Sequence, residues 1–86
     1  MDHYANVEAR VKSILAKQLN MDAANIKSEA LLAGDLGMDS FGSVETAFEL
    51  EEQFGIKIPD EAVYNAKTVK DIVDFISAQD IKIKDT

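Results

Sequence analysis

The 86-residue chain contains no cysteine. Disulfides, thiol catalysis and cysteine-based zinc sites are therefore excluded, and the composition fits a reducing compartment. Histidine is nearly as scarce. The one His, His3, leaves no material for a histidine-based catalytic triad or a multi-histidine metal centre. Long apolar runs are missing too: none extends beyond a few residues, far short of a membrane span or a signal-peptide core. A soluble, cytoplasmic protein without membrane insertion is the expectation. Low-complexity stretches and internal repeats are absent. What is present is 47% hydrophobic residues, enough for one small core, and the length predicts a single domain over residues 1–86.

Basic residues are missing from one region in particular. Residues 1–29 hold four acids and four bases, and residues 62–86 again hold four of each. Residues 30–61 hold eight acids and a single base, Lys57. The whole net charge of −7 thus belongs to the middle of the chain. Nucleic-acid binding is disfavoured, since phosphate contacts need a basic surface. A basic protein partner is the natural complement, because opposed fields raise association rates. The plainer alternative is that the acids only keep a small protein in solution.

Helical periodicity dominates the pattern. Val7, Val11, Ile14 and Leu15 predict a first helix from about Tyr4 to Leu19, stopped by Asn20 and Asp22. Residues 21–39 are irregular, with scattered Ile26, Leu31, Leu32 and Leu36, and with Gly34 and Gly37 near the end. So long a loop is often functional, and its leucines imply that it is packed down. Ser40 to Phe54 predicts a second helix, ended by Gly55. Its apolar residues cover about half the circumference, wider than one core contact needs. Ala47, Leu50 and Phe54 form one side, assigned to the core. Phe41, Val44 and Phe48 form the other, with Glu45, Glu49 and Glu52 alongside. A helix that packs inward and also docks a partner has this pattern; a deeply buried central helix with a solvated acidic face has it as well. Pro59 opens a short third helix near Asp60–Asn65, with Ala62 and Val63 inward. Thr68 is the expected N-cap of a fourth helix, with Asp71 as its capping-box partner; Val69, Ile72, Val73 and Ile76 carry it to about Ala78. Residues 79–86 are expected to fray. The expected fold is all-α: a small four-helix bundle of three main helices and one short one, with a long first loop.

No acid, base and nucleophile converge in this pattern, so no catalytic residues are assigned. The segment Asp35-Leu-Gly-Met-Asp39 lacks the alternating ligands and the glycine of a calcium loop, and no metal site is assigned either. Ser40 is the residue of interest. It follows a glycine-containing loop and opens a helix whose positive end favours a phosphate group. A serine in such a place is usually a cap. Here Asp39 can cap, which leaves Ser40 at the first helical position with its hydroxyl exposed.

The segment Asp35-Leu36-Gly37-Met38-Asp39-Ser40-Phe41 resembles the D-L-G-x-D-S-L attachment motif of acyl carrier proteins. Val44-Glu45, Leu50-Glu51-Glu52-Gln53-Phe54, Ile58-Pro59-Asp60-Glu61 and Thr68-Val69 follow in that family's order and spacing. The resemblance spans about Val7 to Ile76. It implies a carrier, not an enzyme. In this family a phosphopantetheinyl transferase attaches the 4′-phosphopantetheine of coenzyme A to the motif serine, here Ser40, and the arm's thiol carries acyl intermediates as thioesters. The family fold is a four-helix bundle whose second helix docks on basic patches of partner enzymes. The implied partners are the transferase and acyl-transferring, synthase or ligase enzymes, met by a monomer through Phe41, Val44, Glu45, Phe48, Glu49 and Glu52.

Several positions depart from the fatty-acid members. Phe41 replaces the usual Leu, Gly42 and Ser43 stand where an acid and a Thr are typical, and Thr46 and Glu49 stand where apolar residues are common. Fatty-acid synthesis and a specialised lipid or polyketide pathway both remain open on this reading, as does an aminoacyl cargo. An unmodified, carrier-like module that docks a basic partner through the acidic helix is the alternative from a different class.

Overall fold

The computed structural model describes residues 3–79. Among them are four α-helices: α1, His3–Leu19; α2, Ser40–Phe54; α3, Asp60–Asn65; and α4, Val69–Ser77. No strand occurs among the described residues, and the small all-α bundle expected from periodicity is what forms. The expected fraying of residues 79–86 lies, from residue 80 onward, outside the described residues. No described helix is long and apolar enough to cross a membrane.

Each boundary has a local cause. α1 stops where Asn20 turns left-handed (φ 56°), and the Met21 N–H reaches back to the Ala16 carbonyl at 2.9 Å. Asparagine tolerates that conformation better than most residues. α2 stops at Gly55 in the same region (φ 64°). Thr68 caps α4 with a full capping box: the Asp71 N–H donates to Thr68 Oγ1 at 3.1 Å, and the Thr68 N–H donates to Asp71 Oδ2 at 3.1 Å. The Lys67 N–H adds a third bond to the same carboxylate. These donors, Lys67 first, hold the Asp71 carboxyl below its ordinary range.

The core is a single cluster. Val7, Val11 and Leu15 from α1, Leu50 and Phe54 from α2, and Val69, Val73 and Ile76 from α4 are all essentially inaccessible. α1 packs chiefly on α4 and next on α2. A polar clasp closes the α1–α4 seam at the surface. Tyr4 Oη donates to Asp74 Oδ1 at 2.6 Å, and Lys70 Nζ donates to Asp74 Oδ2 at 2.6 Å. The lysine, then the tyrosine, lowers the Asp74 carboxyl, and Asp74 raises Tyr4 and Lys70 in return.

Two features of the interior differ from the periodic reading. Ala47, assigned to the core with Leu50 and Phe54, is only half-buried, and Thr46 takes the inward place instead. The inward stripe of α2 runs through positions 46, 50 and 54, a spacing of four that drifts slowly around the helix. The long first loop is also less irregular than expected. It contains a single 3₁₀ turn, Ala23–Asn25, started by the Asp22 carboxylate accepting from the Ala24 N–H at 3.0 Å. Ile26, Leu32 and Met38 are buried along the loop. Its later half is stitched to the entry of α4 by three backbone bonds: Leu32 N–H to Lys67 O, Val69 N–H to Ala30 O, and Lys70 N–H to Ser28 O. Ser28 Oγ donates to Glu8 Oε2 and ties the loop to α1 as well. The loop therefore arrives at Ser40 along a defined path.

Candidate functional site

The approach to Ser40 is built residue by residue. The Leu31 N–H donates to Asp35 Oδ2 at 2.8 Å, and the Asp35 and Leu36 N–H groups return to the Leu31 carbonyl. Gly37 then adopts a positive φ of 69°, which a side chain would strain. Met38 follows and is buried, anchored further by its N–H to the Leu32 carbonyl at 2.9 Å. With Met38 pinned inward, Asp39 and Ser40 emerge at the surface.

Asp39 is the N-cap of α2. Its backbone is extended (φ −93°, ψ −179°) and its Oδ1 accepts the Gly42 N–H at 2.7 Å. A Cβ on Gly42 would lie 3.1 Å from that oxygen, tighter than ordinary contact, so the glycine lets the carboxylate close over the helix end. The Asp39 carbonyl accepts both the Ser43 N–H at 2.9 Å and Ser43 Oγ–H at 3.0 Å. The Ser40 and Phe41 N–H groups are not taken by the cap. Ser40 thus stands at the first helical position, exposed, with a hydroxyl that makes no hydrogen bond among the described residues. Since the chain's one His is His3, on α1, no imidazole of this region can act as its base. The described residues also contain no cluster of three or more potential metal ligands. The arrangement offers an accepting hydroxyl, not a self-activated nucleophile.

One hollow adjoins Ser40, and a second lies behind it. A groove of about 400 Å³ runs between the loop and α3, with Leu31, Gly34, Asp39, Ser40, Tyr64 and Lys67 on its walls. Behind it, between α2, α3 and α4, lies a smaller apolar cavity of about 40 Å³ lined by Leu50, Ile58, Ala62, Ile72, Phe75 and Ile76 among others. Leu32, Met38, Ser43, Val63 and Ala66 line both. Thr46 lines the cavity only. It is 3% exposed, and its Oγ1 has no hydrogen-bond partner.

The outer face of α2 carries a different chemistry. Phe41 is 71% exposed, Phe48 67% and Val44 50%, while Glu45 and Glu52 are exposed and Glu49 is half-buried. Glu51 is not part of this face: its Oε2 accepts the Ile58 N–H at 2.7 Å and fixes the turn into α3. The six residues singled out from the sequence share one helix, and its apolar members stand in solvent. Two further residues were not assigned to the site from the sequence. Tyr64 of α3 is 74% exposed and shares a hollow with Val44 and Phe48, so the apolar face continues from α2 onto α3. Placing Ala62 and Val63 inward already implied an outward Tyr64. Thr46 was noted in the sequence only as a departure from the fatty-acid members and not as a buried residue, although it sits four residues before Leu50 and eight before Phe54.

Comparison with protein families gives a match over most of the chain. A family model described as a phosphopantetheine attachment site fits residues 9–76, which include every element from most of α1 to all but the end of α4.

Proposed function

The chain belongs to the phosphopantetheine-attachment family, which includes the acyl carrier proteins, and from that membership we propose that Ser40 accepts the arm and that α2 presents the loaded arm to partner enzymes. Members of this family are carriers rather than catalysts, and their cofactor is a covalently held 4′-phosphopantetheine. When bound, the group supplies a terminal thiol that holds an acyl unit as a thioester; a chain without cysteine has no thiol of its own.

One observation carries the assignment to Ser40: Asp39 performs the capping, so the neighbouring serine hydroxyl is exposed and uncommitted. The surroundings fit a phosphodiester there. The Ser40 and Phe41 N–H groups point out of the helix end, where negative charge is favoured. The groove beside Ser40 offers room along which an arm can lie, with Lys67 on its wall. Asp39 holds the helix start, Gly42 admits the close cap, and Met38 anchors the approach from beneath.

Docking follows from the outer face of α2. Phe41, Val44 and Phe48 expose apolar surface next to Glu45, Glu49 and Glu52. Exposed aromatics ringed by charge suit a partner whose docking patch is basic around an apolar centre. A phosphopantetheinyl transferase and acyl-transferring, synthase or ligase enzymes are the partners on this reading. The cargo belongs to fatty-acid or specialised lipid or polyketide synthesis. Gly42, Ser43, Thr46 and Glu49, at positions where fatty-acid carriers differ, favour the specialised branch.

Incubation with a phosphopantetheinyl transferase and coenzyme A tests the assignment by intact mass. The expected product is heavier by one phosphopantetheine, and Ser40→Ala abolishes the gain. Modification that persists in Ser40→Ala, at Ser43 for example, removes Ser40 from the role. No gain with several different transferases favours an unmodified docking module instead.

A further inference from the structure

The hydroxyl of Thr46 is the one buried side-chain polar atom among the described residues that is left without a partner. It sits in a cavity whose other walls are almost entirely apolar. A buried hydroxyl without a hydrogen bond is costly, and such groups in folded proteins are few. The other side-chain hydroxyl on the cavity wall, that of Ser43, already donates its hydrogen bond to the Asp39 carbonyl. Nothing in the core is gained by a threonine here, since the stripe it belongs to continues as Leu50 and Phe54.

The location ties this atom to Ser40. Ser40, Ser43 and Thr46 follow one another at intervals of three along α2, and Thr46 lies about 9 Å from Ser40 along the helix axis at 1.5 Å per residue. Ser43 lines both the groove that holds Ser40 and the cavity that holds Thr46. An arm attached at Ser40 is long enough to fold back over that distance and bring the head of its cargo to the shared wall. The cavity, at about 40 Å³, has space for a few heavy atoms: a water needs about 10–15 Å³ of such space, and a cavity of about 150 Å³ takes benzene.

We infer that Thr46 is a specificity-determining residue for the carried group, and that the cavity selects a short acyl chain bearing an oxygen able to hydrogen-bond over a plain alkyl chain of equal length. This rests on the carrier reading with the arm on Ser40. An alkyl chain entering the cavity leaves the Thr46 hydroxyl as unpaired as before. A hydroxyacyl or oxoacyl chain supplies the missing partner, so the oxygen lost from water by the cargo and the oxygen already buried in the protein satisfy each other.

The test loads the transferase-modified protein with butyryl and with 3-hydroxybutyryl groups, confirms each by intact mass, and follows thioester hydrolysis. The same thioesters on free pantetheine correct for intrinsic reactivity. The expected result is protection of the 3-hydroxybutyryl form about fivefold greater than that of the butyryl form, the value of one ordinary net hydrogen bond. Thr46→Val abolishes the preference; Thr46→Ser, which keeps the hydroxyl, retains it. The Thr46 methyl resonance shifts further with the hydroxylated cargo than with the plain one. Equal protection in the unaltered protein overturns the inference, as does a preference that survives Thr46→Val. Equal protection accompanied by a water held on Thr46 in both forms overturns it too, with water as the hydroxyl's partner. A protein whose mass gains the arm but shows no preference refutes this inference alone; one that never gains it refutes the Ser40 assignment and this inference together.

Discussion

Replacing Thr46 by valine should make the unloaded protein more stable, although it alters a residue beside the candidate site. The substitution exchanges a hydroxyl for a methyl and keeps the branch at Cβ, so the side chain's rotamer restriction hardly changes. Helix propensity changes little, since threonine and valine rank together. The position is 3% exposed, and its hydroxyl has no partner. Leaving such a group buried costs about 1–3 kcal/mol, and the exchange removes that cost. The adjoining cavity of about 40 Å³ accommodates the slightly larger methyl, so overpacking does not oppose the gain. A net gain of about 1–3 kcal/mol raises the melting temperature by about 4 °C or more in a chain of this size. Urea denaturation is the direct assay: the midpoint should rise with an unchanged slope. Thr46→Ser is the control. It keeps the unpaired hydroxyl and loses the methyl, so it should be less stable than the unaltered protein by about 1 kcal/mol. A midpoint that is unmoved or lowered in Thr46→Val refutes the reasoning, because it means that the hydroxyl is paired in solution by a backbone carbonyl or a cavity water.

Three other outcomes can be checked. Leu50→Ala, at a position 2% exposed in the centre of the core, should lose about 2–5 kcal/mol in chemical denaturation; a loss under about 0.5 kcal/mol means that α2 is seated on another face. Glu45→Lys, on the exposed outer side of α2, should slow modification by the transferase without lowering the melting temperature, and the defect should shrink as salt rises; equal rates at low ionic strength reduce the acidic stripe to a solubility feature. The Tyr4–Asp74–Lys70 clasp predicts a pH dependence. Asp74 is lowered from its ordinary value of 3.8, by Lys70 and then Tyr4, so its contribution is present above about that pH and is lost as the pH falls through the lower folded-state value. Tyr4 and Lys70 are raised from 10.0 and 10.5, so theirs is present below those values and is lost on the alkaline side. The advantage of the unaltered protein over Asp74→Asn in urea midpoint should be small, because the pair is exposed, level near neutral pH, and smaller as the pH falls below 3.8; a difference that stays flat through the acid range assigns the clasp no electrostatic part.

Helix positions were legible because the forces that set them are local. Asn20, Gly55, Pro59 and the Thr68–Asp71 pair all stop or start helices through their own backbone preferences or short-range hydrogen bonds, and α1 and α2 end, and α3 and α4 begin, where those residues predict. The loop between α1 and α2 was not legible in the same way. Its shape depends on backbone bonds from residues 28–32 to residues 67–70, and no short-range pattern records a partner so far along the chain. The same limit hid the burial of Thr46. Residue type argued for the surface and position argued for the core, and only the packing of α3 and α4 over α2 decides between them. Ser40 was legible for the opposite reason: its exposure follows from Asp39 and Gly37, both within three residues of it.

α2 has to serve three neighbours at once, and that explains why its apolar arc is too wide for a core helix. Positions 50 and 54 are buried in the core, positions 40, 43 and 46 border the groove or the cavity, and positions 41, 44 and 48 face solvent. The stability of the bundle draws on the first set, and the chemistry of the site on the second. The third set gives nothing to the fold that can be seen, because Phe41 and Phe48 are mostly in water. Single exposed apolar residues need no explanation. Four of them together — Phe41, Val44 and Phe48 on α2 with Tyr64 on α3 — form a patch beside the acidic stripe, and a small chain gains no stability from leaving it uncovered. The division also separates the expected effects of mutation. Changes at 50 or 54 should unfold the protein, changes at 46 should alter which cargo is sheltered, and changes at 41, 44 or 48 should act only when a partner is present.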